Sequence, residues 1–125
     1  MASLSIRVDL SPTSAIGPGK ISLLEKIEET GSISAAGRAM NMSYRRAWLL
    51  LAELNQTFRE PVATTALGGR SGGGAALTQF GKRLVRGYRQ METDAQAAVA
   101  GYLSMIRSAR VPKRSRAATT RKRRK

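Results

Sequence analysis

Residues 31–58 read GSISAAGRAMNMSYRRAWLLLAELNQTF, and their parsing decides the fold. Ser34 is placed to cap a short helix over Ala35–Met40, whose small residues allow another helix to approach closely. Asn41 tolerates the left-handed backbone that closes such a helix. Ser43 then caps a longer helix to about Thr57. Its inward face carries Ala47, Leu50, Leu51, Leu54 and Phe58, and Trp48 is expected on the buried side as a packing residue. Tyr44, Arg45 and Arg46 fill the first turn. A short helix, a tight turn and a second helix match a helix-turn-helix, in which the second helix enters the major groove by its N-terminal residues. A plain three-helix core has similar loops, and at this point both readings stand.

Upstream, Leu4, Ile6, Val8 and Leu10 alternate with Ser5, Arg7 and Asp9, a pattern that predicts a short strand. Ser11 to Gly19 holds two prolines and two glycines and is expected to be a connection. Ile21, Leu24 and Ile27, with Leu23 beside them, predict a helix from about Pro18 to Glu29. Gly31 is expected to end it in the left-handed conformation.

Downstream, Pro61 stops the helical pattern. Residues 62–67 and 75–78 predict two short strands around the loop Gly68-Gly-Arg-Ser-Gly-Gly-Gly74, a hairpin whose tip carries Arg70 and Ser71. Directly after a helix-turn-helix, such a hairpin is a wing able to lie along a phosphate backbone or reach a minor groove. A featureless hairpin is the alternative. A nucleotide-cradling loop is not expected, because no Gly-Lys-Ser/Thr leads into a helix.

Thr78 is expected to cap the last helix, over residues 79–107, about 43 Å long at about 1.5 Å per residue. Leu84, Met91, Ala98 and Met105 recur at one heptad position, and Tyr88, Ala95 and Tyr102 at another. A domain of this size cannot cover the whole seam, so the far half is expected to join a second copy. The alternative is that the stripe folds back on its own domain.

The 125 residues contain no cysteine and no histidine, which removes thiolate and imidazole metal sites, catalytic triads and cysteine nucleophiles. No spacing places two carboxylates in a shared pocket, so an enzyme is not expected, nor any metal or cofactor. No apolar run is long enough for a membrane span, and no signal peptide is evident. The expected location is the cytoplasm, on the nucleoid.

Net charge is +14, and ten of the 22 basic residues lie between Arg107 and Lys125, with no acid among them. Such a balance points to a polyanion, whether DNA, RNA or an acidic membrane surface, and beside a helix-turn-helix the expected partner is double-stranded DNA. Residues 1–107 are expected to form one domain, and 108–125 a disordered basic tail that clamps phosphates through Lys113, Arg114 and Arg116. The expected fold is α+β: mainly helical with a small β wing, a winged helix-turn-helix with a long C-terminal dimerisation helix. An architectural DNA packager with little sequence preference is the alternative function.

The run Gly31-Ser-Ile-Ser, Ser43-Tyr44, Ala47-Trp48, Asn55, Gly68-Gly69, Gly72-Gly-Gly74, Leu77-Thr78 and Gly81 resembles the N-terminal, LysR-like DNA-binding domain of the ModE family of molybdate-responsive transcription regulators. The resemblance covers roughly residues 4–106. It implies a homodimer joined through the long last helix and an operator of inverted half-sites. By position it also makes Ser43, Tyr44, Arg45 and Arg46 the head of the recognition helix and Arg70 part of the wing; DNA contacts are expected from these and from Ser34 and Ser71. Regulators of this family usually continue into paired β-barrel domains that bind molybdate or tungstate. Here a basic run follows instead, so a stand-alone form with no small-molecule effector site is expected.

Overall fold

The computed structural model describes residues 2–66 and 74–112. They fall into two compact units, one of residues 5–92 and one of the residues before and after it. The fold is α+β, a winged helix, and none of its helices is long and apolar enough to cross a membrane among the described residues.

The first unit opens with an antiparallel pair, β1 (Val8–Ser11) and β2 (Ser14–Ile16), joined by a turn in which Thr13 N–H donates to Ser11 Oγ. This corrects the single strand over residues 4–10 and the connection over 11–19. A bulge between Asp9 and Ser11 ends the alternation, leaving Leu10 exposed. β2 has only three residues, too few to show a period, yet it ends on buried Ile16.

Helix α1 (Pro18–Thr30) follows, with Pro18 at its start, where a missing N–H costs nothing. Ile21, Leu23, Leu24 and Ile27 are fully buried on its inner face. Gly31 ends it at φ 73, as expected, and its N–H donates to Ile27 O at 2.7 Å. The Gly31 carbonyl in turn accepts from Ala75 N–H at 2.9 Å, tying the helix end to the hairpin.

Helix α2 (Ile33–Ala39) is capped by Ser32, not Ser34: Ser32 Oγ accepts from Ala35 N–H at 3.0 Å. Two serines two residues apart can each cap. The earlier one does so because Ile33 must lie inside the helix to bury its side chain in the core. Helix α3 (Tyr44–Thr57) is capped by Ser43 as expected, with Ser43 Oγ accepting from Arg46 N–H at 3.1 Å. Its buried residues are Ala47, Leu51 and Leu54, with Leu50 and Phe58 partly buried against the core.

The second hairpin pairs β3 (Ala63–Thr65) with β4 (Ala75–Leu77), Thr64 opposite Ala76. Asn55 fastens it to α3. Its Oδ1 accepts from Val62 N–H at 2.7 Å and Ala63 N–H at 3.3 Å, while its Nδ2 donates to Ala63 O at 3.2 Å. Three bonds from one half-buried amide satisfy backbone groups at the root of the wing. Asn55→Ala strands them, so urea unfolding is expected to show a loss on the order of 2 kcal/mol.

Thr78 joins the hairpin to helix α4 (Gln79–Ala98). Its Oγ1 accepts from Gly81 N–H at 2.9 Å and donates to Pro61 O at 2.7 Å, and its own N–H donates to Val62 O at 3.0 Å. The helix start therefore lies directly on the Val62 peptide. A Cβ on Gly81 would sit 2.0 Å from Val62 O.

Further along α4, the Tyr88 hydroxyl donates to Ile6 O, and Val85 and Tyr88 complete the core. Arg89 grips α1: its guanidinium donates to both Glu25 carboxylate oxygens at 2.9 and 3.0 Å, to Ser22 Oγ at 3.1 Å and to Glu92 at 2.8 Å. These hydrogen bonds hold the Glu25 carboxyl below its ordinary range against the opposing pull of partial burial. A depressed carboxylate stabilises the fold above its unfolded-state pKa, and that contribution is lost as pH falls through the folded-state value.

In place of one helix over 79–107 there are two, α4 and α5 (Ala100–Ala109), broken at Val99 with φ −109 and ψ 16. Backbone bonds still bridge the break, Val99 N–H to Ala95 O and Leu103 N–H to Val99 O. One residue untwists while the ladder continues, which a residue-spacing pattern cannot register.

Candidate nucleic-acid interface

The two helices of residues 33–57 meet through a tight turn. Asn41 adopts φ 58, as expected, and Gly37 O accepts from both Met40 and Met42 N–H, at 3.0 and 2.9 Å. A Cβ on Gly37 would stand 3.2 Å from Ala47 Cβ and 3.3 Å from Met42 O. Small residues at 37 and 47 thus let α3 cross α2 closely, and that crossing presents the first turn of α3 to solvent.

Ser43, Tyr44, Arg45 and Arg46 are all exposed there. Among the described residues, neither Arg45 nor Arg46 has an ion-pair partner, whereas Arg7, Arg86 and Arg89 are each matched to a carboxylate. Beside Arg46 lies an open groove of about 460 Å³, lined by Arg7 and Lys20 as well as Met42 and Leu50. Lys20 is held by Ala15 O at 2.8 Å and lies 3.7 Å from Glu53. The face therefore offers free guanidiniums and a phenol on a rigid helix start, suited to anionic oxygens and to base edges. Arg7 and Lys20 were not legible as part of it, because only the fold brings them beside Arg46.

Ser34 is half-buried within α2, where its Oγ accepts from Arg38 at 3.0 Å. Trp48 departs from expectation: it is 46% exposed and outside the core, not packed beneath the helix. The inward face is narrow, set by Ala47, Leu51 and Leu54, and Trp48 falls at its margin. A helical projection of those three residues carries that signal. Arg70, Ser71, Lys113, Arg114 and Arg116 lie outside the described residues.

The heptad residues divide. Tyr88 is 3% exposed, committed to its own core, and Leu84 and Met91 are partly buried against that core. Ala95 is half-buried, whereas Ala98, Tyr102 and Met105 are exposed.

No family model matches the chain. It is 37% identical over 99 residues to the molybdenum transport protein ModE of Azotobacter vinelandii, covering 79% of this chain and 36% of that protein. It is 43% identical over 77 residues to the molybdenum-pterin-binding protein MopB of Rhodobacter capsulatus, covering 62% and 28%. With the DNA-binding transcriptional dual regulator ModE of Escherichia coli K12 it shares 42% identity over 71 residues, covering 57% and 27%. The chain thus spans about a third of the length of the curated relatives it matches. Over that shared stretch, which includes most of its own residues, the chain is a homologue of the ModE transcriptional regulators.

Proposed function

We propose that this protein is a dimeric, sequence-specific DNA-binding regulator of transcription that acts in the cytoplasm on the nucleoid, by binding and not by catalysis. The exposed guanidiniums of Arg45 and Arg46 at the start of α3, unpaired among the described residues, carry this reading, and the kinship with ModE regulators supports it. Ser43 and Tyr44 position the helix start against phosphates and base edges, while the arginines read guanine in the major groove. A second copy docks on the exposed residues Ala98, Tyr102 and Met105, so that two reading helices meet inverted half-sites. Domain limits of 1–107 and 108–125, drawn from the sequence two residues short of the α5 end at Ala109, separate the reading and dimerising part from a phosphate-clamping tail, and the wing adds Arg70 and Ser71.

Selection from a random duplex pool tests the proposal. The expected result is an enriched inverted repeat that binds two chains. An unenriched pool would instead support the architectural reading, which the +14 charge favours.

The tail is expected to act without sequence preference. Deleting residues 108–125 should flatten the dependence of log affinity on log salt by about 0.9 for each phosphate no longer neutralised, leaving the preferred site unchanged. Filter-binding titrations over a salt series read that slope.

A further inference from the structure

We infer that Trp48 and Leu49 read thymine, packing on its 5-methyl group from the outward face of α3; this rests on the DNA-reading role proposed above. Tyr44 and Trp48 are four residues apart and neighbour one another along one edge of the helix, and Arg45 and Leu49 do the same beside them. All four are exposed, and neither Trp48 nor Leu49 belongs to the core or to the side chains packed against it. Burial in the protomer therefore does not explain an indole and an isobutyl group on this face.

Their surroundings narrow what covers them. The guanidiniums of Arg45 and Arg46 flank the apolar pair, so its occupant is anionic. One turn beyond Leu49 stands the half-exposed carboxylate of Glu53, 3.7 Å from the Lys20 ammonium, the first acidic group along this face. The acid-free face is thus the first two turns, the part of a recognition helix that meets bases. In the major groove of B-DNA the thymine methyl is the apolar group on display, and apolar side chains recognise it. Guanidinium for guanine and apolar side chain for thymine then lie side by side on one helix face.

Trp48 is the only tryptophan of the chain, so its emission reports this face directly. The probes are the duplex recovered by selection, the same duplex with deoxyuridine replacing each thymidine in turn, and a shuffled duplex, all with the full-length chain. The selected duplex is expected to shift Trp48 emission. Deoxyuridine at one or more positions of each half-site should weaken binding about fourfold per methyl group. Leu49→Ala and Trp48→Ala, both at exposed positions, should bind a labelled selected duplex more weakly and lose sensitivity to that replacement.

Full tolerance of deoxyuridine, with preference over the shuffled duplex intact, would overturn methyl reading and leave the proposed function standing. No preference over the shuffled duplex would overturn both. A Trp48 emission shift that follows protein concentration without DNA would make this face a contact between copies and overturn the inference.

Discussion

Gly81→Ala is expected to destabilise the protein by about 3 kcal/mol or more, because the added carbon has nowhere to go. It would stand 2.0 Å from Val62 O and 2.9 Å from the Val62 carbonyl carbon. Both are backbone atoms, so no side chain can swing aside. Relief requires α4 to move off the hairpin root, which breaks the bonds that Thr78 makes to Val62 O and Pro61 O. Gly87 supplies the control. It lies in the same helix with nothing within 4 Å of where a Cβ would stand, so Gly87→Ala should be neutral or stabilising by roughly 0.5–1 kcal/mol. Thermal melts of the two variants separate close contact from a generic glycine effect. Equal behaviour would mean that α4 does not sit on Val62 as described.

Arg45→Ala with Arg46→Ala is expected to remove sequence preference while leaving the fold intact. Both side chains are exposed, and the cap that starts α3 comes from Ser43 Oγ to the Arg46 backbone N–H, which alanine retains. Alanine is also a good helix former, so helicity should hold. Each bidentate arginine–guanine pair is worth about 1–3 kcal/mol of discrimination. Losing two per chain should bring the affinity for a selected duplex close to that for random DNA, within the few-fold that thymine-methyl contacts still supply. Circular dichroism checks the fold, and competition titration checks the preference. Undiminished preference in a folded double variant would assign base reading elsewhere.

Much of this architecture was legible because its signals are local. Gly31 and Asn41 announce their left-handed backbone, Ser43 and Thr78 announce helix starts, and the apolar spacing of α1 announces its buried face. Where the outcome depended on long-range contact, local pattern failed. Ser32 won the cap from Ser34 through the burial of Ile33, and β2 was too short to show alternation. The heptad stripe is continuous in sequence, yet Tyr88 belongs to its own core while Tyr102 faces solvent. Residue spacing cannot tell a seam from a core face when a helix supplies both.

The reading face shows the same division. Its first turn follows from a capping serine and the residues after it, so Tyr44, Arg45 and Arg46 stand where the cap puts them. Gly81 and Asn55 stood in the sequence as matching letters of a motif, without a physical role. The structure supplies one for each: close approach to the Val62 peptide, and satisfaction of the wing's first backbone groups. Both roles serve to fix the hairpin root against α3 and against the start of α4, within the first unit.

The central claim is that the start of α3 reads base sequence, and it is tested most directly by one ratio. The full-length chain is titrated at about 0.15 M salt against its selected duplex and against the same duplex shuffled. Specific regulators typically prefer their site by ~10³ or more, and a ratio of that order is the expected result. A ratio near one would contradict the claim, leaving charge alone to account for whatever DNA binding is seen.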